Sequence, residues 1–185
     1  EGAKITPDVT THLGNAVRVR EPAEFVSALE ALKGKIVLAD PTTAPAAIFE
    51  RLAKASAPVK RGSDPIQLPK ACKNAVELEG TRKAHLRDGA ALSRFLAWIS
   101  REAPNGHLTE IEAAQALEGY RRATGSLTDL SFDSISGAGS NGAVVHYRVT
   151  RSTNQPIQKD EIYLIDSGGQ YPDGTTDVTR TMIVG

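Results

Sequence analysis

Residues 161–185 read EIYLIDSGGQYPDGTTDVTRTMIVG, and they place Asp166 at the end of one apolar run and Asp177 at the start of another. In EIYLID, Ile162 and Leu164 share a strand face with Asp166, while Tyr163 and Ile165 point the other way. Both faces are apolar, which predicts a strand covered on both sides. A lone carboxylate there is costly unless it is paired, hydrogen-bonded or bound to metal. YPDG (171–174) carries turn chemistry, with Pro172 in the second position and Gly174 free to take positive φ. A three-residue loop would set Gly169 opposite Asp177 and leave Asp166 on the wrong face. One extra residue, a β-bulge at Ser167-Gly168-Gly169, repairs that parity. Asp166 and Asp177 then become diagonal neighbours on one face, with Cα atoms roughly 7–8 Å apart. At that spacing two carboxylates can converge on one metal, or on two metals ~3.5–4 Å apart.

Other readings of the pair compete with this one. Asp166 to Asp177 has the length of an EF-hand loop, but Gly168, Gln170 and Tyr171 stand at its third, fifth and sixth positions and strands flank it, so that reading fails. A structural ion pair with Arg180 neutralising one aspartate stays open, as does simple capping of a turn.

Working outward, residues 1–67 alternate short helical and strand-like pieces. The stretch 23–34 carries a helical stripe closed by Gly34, 35–40 is a strand, 41–55 a second helix and 58–62 a short strand. This is an α/β pattern, and 63–69 reads as a linker. From Lys70 the pattern changes. Residues 73–103 form a long helical region, bent near Gly80 or Gly89, with a stripe of Leu78, Leu86, Leu92, Phe95, Leu96 and Ile99. PNG (104–106) breaks it. Thr109 with Glu112 forms a capping box for a helix running to about Ala123. Strand-like pieces follow at 130–139 and 141–149, and then the closing hairpin. Two helices followed by strands predict an α+β domain over 68–185.

Lys plus Arg and Asp plus Glu both total 22 of 185 residues. Net neutrality with no basic run argues against nucleic acid or a membrane surface as partner. The apolar runs are far shorter than the ~20 residues of a bilayer span. A single cysteine, Cys72, cannot form an internal disulfide and suits the cytoplasm. The chain starts at Glu1 and stops at Gly185 directly after a strand-like run, as a piece cut from a longer protein would.

The segment DSGGQYPDGTTDVTRT (166–181) closely resembles the first metal-ligand hairpin of the Xaa-Pro aminopeptidases, the aminopeptidase P family of pita-bread metallopeptidases. KNAVELEGTRKAHLRDGAAL (73–92) resembles the opening helix of their catalytic domain, and SNGAVVHY (140–147) their substrate-side histidine segment. Residues 1–67 are similar, more weakly, to the end of the creatinase-like domain that precedes it. Methionine aminopeptidases and prolidases share the paired aspartates but differ around them, and creatinase has the fold without the metal.

The resemblance implies a creatinase-N-like α/β part-domain followed by the first half of an α+β pita-bread domain. It implies a metal-dependent hydrolase acting on peptides with proline in second position, with a homodimer as the candidate assembly. Asp166 would hold one of two divalent ions, manganese being usual in the family, and Asp177 would bridge both. His146 would stand beside the substrate; by itself it reads as a strand histidine with a satisfied ring. His12, His85 and His107 read as surface or structural residues, and Phe95 with Trp98 as helix core. The family's remaining ligands, one histidine and two glutamates, lie on later strands and are absent from residues 1–185. The competing class is a non-enzymatic pita-bread module that binds peptides or a partner.

Overall fold

In the computed structural model, which describes residues 4–185, the chain divides between Cys72 and Lys73 into two units. The first begins with α1 (Pro7–Leu13), which Thr6 caps by accepting from the Val9 N–H. A 3₁₀ turn at Pro22–Glu24 leads into α2 (Phe25–Glu30). Next come β1 (Val37–Ala39), α3 (Ala46–Lys54) and β2 (Val59–Arg61), with β2 parallel to β1 and Val37 opposite Val59. This is the β-α-β alternation that the sequence predicts. Asp40, at the end of β1, accepts from the Thr42 N–H and Oγ1 and from the Asp64 N–H, closing the turns at that strand end. The predicted linker is more ordered than expected, because Gln67–Ala71 forms a short helix, α4.

The second unit opens with α5 (Ala75–Glu102). Asn74 and Glu77 form its capping box, and the helix continues unbroken through Gly80 and Gly89. Its buried line runs through Ala84, Asp88, Ala91, Leu92, Phe95 and Ile99. Leu78 and Leu86 belong to the predicted stripe but are exposed, since small residues and one carboxylate occupy the buried line in the first half of the helix. Then α6 (Glu110–Arg122) starts at the Thr109–Glu112 capping box.

Three strands form one antiparallel sheet in the order β4 (Ile135–Ala138), β5 (Ile162–Ser167), β8 (Val178–Ile183). A second sheet joins β3 (Asp129–Leu130), β6 (Gly169–Tyr171) and β7 (Gly174–Thr175). Phe95, Ile99, Ala113 and Leu117 from the helices pack with Tyr163 and Ile165 of β5 and Ala138 of β4 into one buried cluster. Each such large side chain contributes roughly 1.5–3 kcal/mol by leaving water. The other face of the sheet differs from expectation, for Ile162 and Ile183 stay 57% and 72% exposed.

Residues 141–149, predicted as a strand, form no strand. A 3₁₀ turn covers Gly139–Ala143, and a tight turn closes where the Tyr147 N–H donates to the Val144 carbonyl at 3.1 Å. Gly137 explains the departure. A Cβ on it would lie 2.8 Å from the Gly142 backbone nitrogen, so the chain folds back flat over the sheet where no side chain stands in its way.

Candidate metal centre

The hairpin that carries both aspartates has no inserted residue. Asp166 pairs with Thr179 and Ser167 with Val178, while Gln170 pairs with Thr175 and Tyr171 with Gly174. The register is the same on both sides of the break, so Gly168 falls opposite Asp177. The expected bulge is therefore absent. A two-residue turn, Pro172-Asp173, supplies the parity instead. Asp166 and Asp177 come out as diagonal neighbours on one face, as expected, by a different device.

What replaces the bulge is a change of sheet. At Gly168–Gly169 the strand pair leaves β4 and joins β3. The Gly169 N–H donates to Thr176 Oγ1 at 2.9 Å, and the Thr176 N–H donates to the Gly169 carbonyl at 2.9 Å. The Thr176 carbonyl, freed from the ladder, accepts from Ser131 Oγ at 2.9 Å. A Cβ on Gly168 would overlap that carbonyl oxygen and Ser131 Oγ, which is why glycine stands there.

The turn has its own explanation. Neither Pro172 nor Asp173 takes a positive φ, so it lacks the primed geometry that suits an isolated two-residue hairpin. Helix α5 holds it in place. The Asp173 carbonyl sits against Gly80 where a Cβ would overlap it, and Arg87 makes an ion pair with Asp173. That hydrogen-bonded guanidinium keeps the Asp173 carboxyl below its usual range.

On the shared face, Thr179 Oγ1 donates to Asp166 Oδ1 at 2.8 Å. Asp177 is exposed beside it. Arg180 points along the opposite side of β8, across from Ile165, and donates to the Thr179 carbonyl. Among the described residues no ion pair joins Arg180 to either aspartate, so that reading of the pair is excluded here. Two carboxylates without a cationic partner, diagonal to each other on one face, can share a bound cation. Among the described residues no group of three or more His, Cys, Asp or Glu converges; this face offers two carboxylates, an all-oxygen part of a coordination sphere.

His146 is not a strand residue. It is exposed, at the third position of the Val144–Tyr147 turn, with φ +54°. A left-handed histidine costs of order 1 kcal/mol or more and persists only where its surroundings hold it. Four residues before it, the segment packs on the sheet face that carries Asp166, for a Cβ on Gly142 would meet Leu164 Cβ at 3.5 Å, and Leu164 precedes Asp166 by two positions. His85 bonds the Thr81 carbonyl on the helix surface, and His12 and His107 are also exposed.

One group in the hairpin's support is absent from the sequence expectations. Asp88, 2% exposed, accepts from Arg121 Nε at 2.7 Å, from Arg121 Nη2 at 3.1 Å and from the Tyr171 hydroxyl at 2.7 Å. Burial pushes its carboxyl up, but the bonds from Arg121 and Tyr171 and the Arg121 charge outweigh burial and leave it below its usual value. Burial and the Asp88 charge push the Tyr171 hydroxyl well above its usual value, so it remains a donor. Helices α5 and α6 thus grip the hairpin through buried charge. The only sequence hint is helical spacing, with Asp88 four residues after Ala84 on the apolar line.

Residues 79–185 match metallopeptidase family M24. The chain belongs to that family. Residues 1–77 match the creatinase/prolidase N-terminal domain, which makes this M24 chain an α/β part-domain followed by part of a pita-bread domain. A probable Xaa-Pro aminopeptidase P of Neosartorya fischeri is 41% identical over 98% of the chain, which covers 29% of that protein. Aminopeptidase P2 of Arabidopsis thaliana is 35% identical over 98% of the chain and 30% of its own length. The crystal structure of an X-prolyl aminopeptidase from Caenorhabditis elegans, described as a cytosolic enzyme with a di-nuclear active site, superposes with a TM-score of 0.81 at 34% identity. It covers 94% of this chain and 29% of its own. The M24 chain thus spans under a third of the length of these relatives.

Proposed function

We propose that the full-length M24 protein removes the N-terminal residue from peptides with proline in second position, using two divalent ions, manganese in the first instance. The observation that carries this reading is the same-face pairing of Asp166 and Asp177 on a hairpin whose surroundings are those of family M24. The aminopeptidase P relatives supply the substrate class.

Asp166 would ligate one ion, with Thr179 fixing its free rotation, and Asp177 would bridge the two. When bound, the ions would polarise the scissile carbonyl and lower the pKa of water so that hydroxide is available as the nucleophile near neutral pH. His146, on its fixed turn, would donate a hydrogen bond to the peptide oxygen as charge builds there. The remaining ligands would come from chain outside these 185 residues. A cytosolic setting, as named for the Caenorhabditis enzyme, agrees with the one exposed cysteine.

The test is hydrolysis of a Xaa-Pro-containing tripeptide by the full-length protein, with manganese and then with chelator. Chelator-sensitive release of the first residue is expected, along with little release when alanine replaces proline. A protein that binds such peptides without cleaving them would be a binding module instead.

A further inference from the structure

Glu110 is fully buried at the first position of α6, and among the described residues no cation pairs with it. Its carboxylate is satisfied by four donors. Oε1 accepts from the Ala138 N–H at 2.7 Å and from Asn141 Nδ2 at 3.0 Å. Oε2 accepts from the Tyr147 hydroxyl at 3.0 Å and from the Gln155 N–H at 3.1 Å. Those bonds fill the four lone-pair sites of a carboxylate, and the helix N-terminus favours its charge.

All four donors belong to the segment that carries His146. Ala138 is where it leaves β4, Asn141 lies in its 3₁₀ turn, Tyr147 follows the histidine, and Gln155 is where it returns to the helix end. Tyr147 is 7% exposed although its neighbour His146 is open to solvent. Its N–H closes the turn onto Val144 while its ring reaches the carboxylate. The left-handed φ at His146 therefore cannot relax without pulling the tyrosine out of the core. A glutamine of the same shape would set its NH₂ group against a backbone N–H, that of Ala138 or that of Gln155, whichever oxygen it replaces.

We infer that Glu110, acting through Tyr147, is a positioning residue that holds His146 over the Asp166 face; the inference rests on the substrate-side role proposed for His146. Glu110 touches no reacting atom. Its effect is to keep the turn populated in one conformation.

The test uses full-length protein with three changes, Tyr147→Phe, His146→Ala and both together. Tyr147→Phe keeps the ring and removes the hydroxyl that bonds Glu110, accepts from Asn141 Nδ2 and reaches the Thr153 carbonyl. It should retain wild-type manganese content and lower kcat by about tenfold with little change in KM. In the His146→Ala background the same change should cost less than about twofold, because the residue it acts through is gone. In metal-free protein, amide exchange over 141–149 should quicken by about tenfold or more in Tyr147→Phe, while α5 and β5 keep their protection. Glu110→Gln should reproduce the exchange change.

Costs that multiply in the double variant would show Tyr147 to be merely structural and would overturn the inference. Unchanged exchange over 141–149 would overturn it as well. A His146→Ala protein with wild-type turnover would sink the inference but leave Xaa-Pro hydrolysis standing. A wild-type protein without that hydrolysis takes the functional proposal down, and this one with it.

Discussion

Asp177 is exposed, with Thr179 and Asp166 as its neighbours on one face. Asp177→Asn keeps the shape and removes one negative charge from a site that would hold two dications. Activity of the full-length protein should fall by about 10²-fold or more, with weaker metal retention. Turnover near wild type in excess manganese would show that Asp177 is no ligand. The two aspartates were legible because a carboxylate at an apolar strand end violates the local pattern. Asp88 and Glu110 were not, because charged residues inside amphipathic helices ordinarily face water, and only packing reveals which of them turn inward. Lowered in the folded protein, Asp88 gives a pH test with a definite sign. The unfolded chain, with its carboxyl near 3.8, then binds more protons than the native one as acid is added. The stabilisation is present above that value and is lost as pH falls through the lowered one. Thermal midpoints measured from pH 6 to pH 2 should fall more steeply for wild type than for Asp88→Asn. Parallel profiles would refute the assignment.

At the scale of elements, the turn between β6 and β7 and the helix beneath it explain each other. Gly80 lies inside a helix, where alanine normally gains about 1 kcal/mol. Here its Cβ would enter the Asp173 carbonyl, and overpacking of that kind costs about 1–3 kcal/mol. Overpacking wins, so Gly80→Ala should lower the melting temperature, while Gly89→Ala, with open space around it, should raise or keep it. The reverse ranking in thermal melts would mean that the turn does not dock there. The sequence predicted α5, α6 and the hairpin because their caps and periods are local signals. It misplaced residues 141–149 because valines in a row favour a strand, whereas their conformation is decided by bonds to Glu110, distant in sequence, and by the chain folding back onto the bare backbone of nearby Gly137. The expected bulge failed for a related reason. Loop length was inferred from turn chemistry, but tertiary contacts with Gly80 and Arg87 select the shorter loop.

For the whole molecule, the exposed face of the β4-β5-β8 sheet is the governing fact. Ile162, Ile183 and both aspartates lie on one surface. Two carboxylates alone leave most of a coordination sphere to water. The 185-residue chain by itself should therefore bind manganese weakly and should not cleave Xaa-Pro tripeptides. Purified chain of verified mass, assayed with manganese and again with chelator, checks this; robust chelator-sensitive cleavage would show that these residues suffice. The succession of an α/β pattern and an α+β pattern was readable because periodicity and turn chemistry change together along the chain. The openness of one sheet face was not readable, since a strand with apolar residues on both sides looks the same whether its second cover lies in the same stretch of chain or elsewhere.

The passage of one strand pair from sheet to sheet at Gly168 bears on how errors propagate through the molecule. Asp166 and Asp177 are referenced to each other across a single ladder whose register is unchanged on both sides of the crossing. Neither is referenced to a helix directly. A loosened helix layer would shift both carboxylates together, as two marks on one ruler move when the ruler moves. Their separation is then a local tolerance of the hairpin, insulated from drift in the core, while the distance from that ruler to His146 carries the accumulated slack of every contact between them.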